Sequence, residues 1–76
     1  MTIGQILDVY DRWFDMIIRV YHVEDYGNEN KAKTVYPMGY GYELPSKMVL
    51  GDYRTMMSTE IKTFKTNESV AIHFYI

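Results

Sequence analysis

No cysteine occurs in these 76 residues, so the chain has to hold itself together with one hydrophobic core and no covalent or thiolate staple. A domain this short buries only about 60 to 65% of the surface its unfolded chain exposes, which leaves a narrow margin of stability. There is room for one domain over residues 1–76 and for one site at most. The same absence removes disulfides, zinc–thiolate sites and a cysteine nucleophile, and it suits a reducing, cytoplasmic compartment.

Hydrophobic residues at 47% and charged residues at 24% are ordinary for a globular domain, so the chain is expected to fold rather than stay disordered. Its longest apolar runs, such as Met16-Ile17-Ile18, fall far short of the roughly 20 residues that span a bilayer. Met1-Thr2-Ile3-Gly4-Gln5 lacks the basic and apolar regions of an export signal. A net charge of -2 with scattered Lys and Arg argues against a direct nucleic-acid partner. Glu24-Asp25 is the one adjacent acidic pair, so no dense negative block is present either. The unusual feature is eight tyrosines, a residue whose broad ring and polar tip suit interfaces and ligand pockets.

Thr2 and Gln5 form a capping-box pattern, and Ile3, Ile6, Leu7 and Tyr10 follow at helical spacing, which predicts a helix over residues 3 to 12 with Asp8, Asp11 and Arg12 in solvent. Residues 14–23 are β-branched and aromatic and predict a strand. Its Phe14, Met16, Ile18, Val20 and His22 would face the core, and Asp15, Ile17, Arg19, Tyr21 and Val23 a partly covered side. Residues 24–33, polar around Gly27-Asn28, read as a long mobile hairpin loop. A second strand over 34–42 is interrupted by Pro37, Gly39 and Gly41, which marks a sheet edge able to recruit a partner. Glu43-Leu44-Pro45 opens a short helix that Gly51 would stop, with Met48, Val49 and Leu50 buried.

Residues 55–66 alternate as a polar-out strand in which Phe64 is out of phase without a bulge. Thr66-Asn67-Glu68 read as a turn. In the last strand, residues 69–76, Val70, Ile72, Phe74 and Ile76 would point inward and Ala71, His73 and Tyr75 outward. The order α-β-β-α-β-β predicts an α+β domain: a small antiparallel four-stranded sheet with an N-terminal helix and a short middle helix.

Motifs for chemistry are sparse. Gly39-Tyr40-Gly41 lacks the third glycine, the long helix and the Lys-Ser/Thr of a phosphate loop, so it reads as a flexed edge strand. His22 and His73 have no metal-ligand spacing and are expected in structural or surface roles. Ser46, Ser58 and Ser69 lie in no nucleophile-elbow sequence. The expectation is a protein that is not an enzyme, with no cofactor and no metal, acting through its surface.

Tyr36, Met38, Tyr40 and Tyr42 form a stripe that is either core packed on the first helix or an exposed adhesive face. Tyr26, Lys31, Lys33, Tyr53 and Arg54 could extend such a face, and rings beside Lys or Arg would also suit a nucleotide.

The helix Met1-Thr2-Ile3-Gly4-Gln5-Ile6-Leu7, the strand Ile17-Ile18-Arg19-Val20-Tyr21 and the segment Gly41-Tyr42-Glu43-Leu44-Pro45 resemble the small proteins of phages and prophages of Gram-positive bacteria, a group that includes anti-CRISPR and other anti-defence proteins. The loop at residues 24–33 departs from their more compact pattern, and no functional residue is carried over. The resemblance implies a stoichiometric inhibitor that docks on a host bacterial defence protein. Its contact surface would be the loop and the tyrosine strand: Tyr26, Lys31, Lys33, Tyr36, Tyr40, Tyr42, Tyr53 and Arg54. The alternatives are a homo-oligomer that sequesters a nucleotide signal between subunits and a minor phage structural or assembly protein.

Overall fold

The strand buried along its whole length is β4, Ala71–Tyr75, with all five residues buried. A strand buried on both faces belongs inside a sheet, and β4 lies between the earlier strand β1 (Ile17–Tyr21) and β3 (Thr63–Asn67). The computed structural model describes residues 1–67 and 70–76. Its remaining elements are helix α1 (Ile3–Leu7), the two-residue strand β2 (Gly39–Tyr40), α2 (Leu44–Lys47) and α3 (Leu50–Ser58), with single 3-10 turns at Trp13–Asp15 and Val23–Asp25. The chain is thus an α+β domain with a small four-stranded sheet, in the order β2-β1-β4-β3.

The sheet is mixed rather than antiparallel. β1 and β4 run parallel, with Ile17 opposite Ala71 through to Tyr21 opposite Tyr75, while β2 and β3 flank them antiparallel. A parallel pair needs a long crossover, and the chain between β1 and β4 supplies it through β2, both later helices and β3. The two most apolar strands take the centre because each must be covered on both faces. Alternation reports which residues share a face but not strand direction, so the sequence reading missed the parallel pair.

Ile18 and Val20 of β1 and Ile72 and Phe74 of β4 line one face of the sheet and pack with Ile3, Ile6 and Leu7 of α1, Met16, Leu44 and Met56. α1 begins with the expected capping box: Gln5 N–H donates to Thr2 Oγ1 at 3.1 Å, and Thr2 N–H donates to Gln5 Oε1 at 2.8 Å. The helix stops at Leu7 rather than running to residue 12. Val9 and Tyr10 instead donate to carbonyls three residues back, in a stretch where Asp8, Val9 and Asp11 are poor helix formers.

α3 replaces both the predicted stop at Gly51 and the start of the strand predicted over 55–66. Met56 is buried, and Tyr53 and Met57 pack beside it against the core, a helical spacing of three and four residues. Gly51 sits in the first turn of α3. Val49 and Leu50, expected in the core, are 68% and 62% exposed, because they stand at the junction between α2 and α3. The strand proper starts at Thr63, so no bulge is needed for Phe64, which faces Phe74 on the core side. Phe14, expected in the core, lies outside β1 and is exposed, as is His22. Val70, assigned to the core side of the last strand, is also exposed. The predicted turn Thr66-Asn67-Glu68 differs as well: Thr66 and Asn67 belong to β3, and Glu68 lies outside the described residues. Among the described residues no helix is long and apolar enough to cross a membrane.

A domain of this size has a total stability of roughly 4 to 11 kcal/mol. Phe74→Ala, at a fully buried position, is expected to lose about 3 to 5 kcal/mol in chemical denaturation. Leu50→Ala is expected to stay within about 0.5 kcal/mol of the parent. A large loss at Leu50 would return that residue to the core.

Candidate functional site

The edge strand β2 carries an aromatic surface. Tyr40 and Tyr42 stack with ring centroids 5.6 Å apart and planes within 9°, and Tyr42 is 61% exposed. Beside them the Trp13 and Phe14 rings stack at 4.1 Å, and Tyr42 N–H donates to the Phe14 carbonyl at 3.2 Å. Gly41 permits this approach: a Cβ there would overlap the Trp13 carbonyl and indole ring. The glycine is thus a packing requirement between two aromatic pairs.

This edge is closed to strand addition at β2. Tyr40 N–H donates to Glu43 Oε1 at 3.0 Å, and Lys47 Nζ donates to the Met38 carbonyl at 3.1 Å. Side chains that satisfy an edge's main-chain groups remove the template on which another strand would pair. The expected recruiting edge therefore offers side chains rather than backbone.

The opposite face of the sheet holds a second arrangement. Register brings Arg19, His73 and Lys65 side by side across β1, β4 and β3, three nitrogenous groups in one row. Tyr21 and Tyr75 lie in the next row, with rings 5.8 Å apart, and the His73 ring stacks on Tyr21 at 5.7 Å. The chain from 22 to 38 folds over this face. Val35 N–H is bonded to the Val20 carbonyl at 2.7 Å, and the Tyr26 ring lies 4.8 Å from that of Tyr75.

Glu29 ties the loop down. Its carboxylate accepts from the Tyr75 hydroxyl and from Gly27 N–H at 3.0 Å, and it pairs with Lys65 Nζ at 3.0 Å. Gly27 has φ +88°, a left-handed conformation in which glycine carries no steric penalty. Residues 24–33 are therefore anchored at Glu29, where the sequence predicted a mobile hairpin loop.

Two open cavities flank Glu29. One, of about 490 Å³, is lined by Arg19, Tyr21, Lys33, Thr34 and Met38 among others. The other, of about 340 Å³, is lined by Lys65, Thr66, Asn67 and His73 with Glu29. His73 is only 7% exposed, yet among the described residues its Nδ1 has no hydrogen-bond partner, and neither has the buried Nε of Arg19. Among the described residues, no three His, Cys, Asp or Glu side chains come together to hold a metal ion.

The structure divides the sequence-predicted contact residues among three places. Tyr40 and Tyr42 lie on the aromatic edge, whereas Tyr36 from the same stripe packs against the core. Tyr26 and Lys33 belong to the loop over the second face, and Lys31 is exposed on that loop. Tyr53 and Arg54 sit on α3, which packs on the other side of the sheet, so they do not extend the loop surface. The sequence reading passed over the Arg19, His73, Lys65 and Glu29 group. A usable signal was present in β4, whose supposed solvent side, Ala71, His73 and Tyr75, is too apolar and aromatic to be left uncovered.

The charges on this face set its pH response. The Tyr75 hydroxyl, then Gly27 N–H, hold the Glu29 carboxyl down at about 2. Tyr75 is pushed above its ordinary value by burial and by that carboxylate. Burial first, then the Arg19 and Lys65 charges, depress His73 below 6.5. As pH falls below 6.5, the unfolded chain takes up a proton at His73 that the folded chain resists, so stability falls through that window and is whole above it. The Glu29 contribution is whole above 4.5 and is lost on further acidification towards about 2. Denaturant unfolding at pH 7.5 and 5.5 should show lower stability at pH 5.5, and His73→Gln should shrink that difference; an unchanged difference would place His73 in solvent. Comparison with family models, curated proteins and solved structures finds no match to this chain.

Proposed function

We propose that the protein works by stoichiometric binding of another protein rather than by turnover, and that the aromatic edge is its contact face. The observation that carries this reading is the Tyr40–Tyr42 stack, exposed beside Phe14 on a strand whose own main chain is capped by Glu43 and Lys47. Folding gains little from rings left in water. Association gains from them directly, because the few residues that carry most of the binding energy in protein interfaces are enriched in tyrosine, tryptophan and arginine. Their prior stacking also reduces the entropy lost on docking. An interface of ordinary size covers roughly 800 Å² on each partner, a large share of the 4893 Å² surface of this chain. In the setting implied by the resemblance to anti-defence proteins, the partner is a bacterial immune effector, and the mechanism is blockade of its working surface.

Parallel affinity capture from a bacterial lysate with the wild-type chain and with Tyr40→Ala and Tyr42→Ala tests this reading. A protein captured at one-to-one stoichiometry should bind each variant at least about fivefold more weakly, the equivalent of about 1 kcal/mol for an anchor. Melting temperatures should stay close to the parent, since both rings are exposed. Equal capture by all three chains, or substrate turnover by the purified protein, would contradict it.

A further inference from the structure

The second sheet face contains a contradiction that the aromatic edge does not address. His73 is more than nine-tenths buried, and among the described residues its Nδ1 has no partner and the buried Nε–H of the neighbouring Arg19 has no acceptor. Buried polar atoms are nearly always paired, and an orphan carries a substantial cost. These two orphans are on residues that pair directly across β1 and β4, so both arise on one patch of one face.

The charges there are also unbalanced. Arg19, Lys33 and Lys65 line the two cavities, and the carboxylate they share is Glu29. That carboxylate is already engaged by Lys65, the Tyr75 hydroxyl and Gly27 N–H. Arg19 has no ion-pair partner among the described residues. This local excess of positive charge sits on a chain whose net charge is -2, so it does not follow from composition.

A ligand that removed both defects would bring acceptor oxygens for Arg19 and His73 and negative charge for the row. A guanidinium presents a fixed fork of donors that matches an oxyanion. His73 adds a donor when Nδ1 carries the proton, and Lys33 and Lys65 line the cavities on the two sides as cations. The exposed Tyr26 ring offers a flat surface beside that position. We infer that the loop-covered face of the sheet is a binding site for a phosphate-bearing small molecule, its phosphate held between Arg19 and His73 beside Glu29. The site is complete within one chain and is independent of the aromatic edge.

Titration of the full chain with inorganic phosphate, AMP and adenosine, followed through the His73 ring signals by NMR and through heat by calorimetry, tests this inference. Sodium chloride at matched ionic strength serves as the control. Phosphate and AMP should shift the His73 signals saturably, and sodium chloride and adenosine should not. Equal affinity for phosphate and AMP would mean that the oxyanion alone is read, and tighter AMP would add the nucleoside lying on Tyr26; both results support the site. Arg19→Gln and Arg19→Lys should each weaken binding at least tenfold, the latter because it keeps the charge but lacks the fork. Lys62→Gln, outside the row, should leave binding unchanged. If Arg19→Gln fails to fold, Arg19→Lys and the wild-type titration still decide the matter. No saturable shift at His73, a response to adenosine equal to that to AMP, or full binding by the folded Arg19→Lys chain would overturn it.

Discussion

The parallel pairing of β1 with β4 is the constraint from which both faces of this domain follow. It places Ile18 and Val20 beside Ile72 and Phe74 on the helix side, where the core forms. By the same register it places Arg19 beside His73 and Tyr21 beside Tyr75 on the other side. The apolar set drives folding through area removed from water, and the second set is carried into a covered position as a consequence. Groups that would avoid burial on their own are thus held together by a pairing whose energy comes from the opposite face.

Covering the second face requires a long chain segment, and the segment from 22 to 38 is polar. It gains its hold through a few defined contacts: the main-chain bond from Val35 to Val20, the contact of Tyr26 with Tyr75, and above all Glu29. One carboxylate that accepts from a backbone amide, a tyrosine hydroxyl and a lysine links the loop to β3 and β4 at once. Charge-assisted hydrogen bonds of this kind are stronger than neutral ones and fix geometry more closely. The helix side, by contrast, is held by side-chain packing with little polar content. The domain therefore has a dry layer that sets its stability and a polar layer that sets its chemistry.

Much of the dry layer was legible in the sequence. Thr2 and Gln5 announced the start of the first helix, and the alternation of Met16, Ile18 and Val20 and of Ile72 and Phe74 identified their buried sides correctly. Pro37 and the nearby glycines placed β2 at an edge. The errors share a physical origin, because short amphipathic segments can satisfy more than one period. Residues 55–58 were read with period two although Tyr53, Met56 and Met57 bury a helical face, and Gly51 was given a stopping role that its place in a first turn does not require. The aromatic edge was half visible, since alternation grouped Tyr36 with Tyr40 and Tyr42 but could not show that only Tyr36 turns to the core. The row of Arg19, His73 and Lys65 was invisible for a different reason. Arg19 lies far along the chain from Lys65 and His73, and only the placement of β1 next to β4, which alternation does not encode, brings the three into one row.

The account stands on the parallel pairing of β1 with β4. Nuclear Overhauser contacts between backbone protons of the two central strands report it without reference to any ligand or partner. Contacts that ascend together, from Ile17 with Ala71 to Tyr21 with Tyr75, are the predicted result. Contacts that run in opposition, with Ile17 near Tyr75 and Tyr21 near Ala71, would part Tyr21 from Tyr75 while leaving Arg19 opposite His73, and would contradict the parallel pairing.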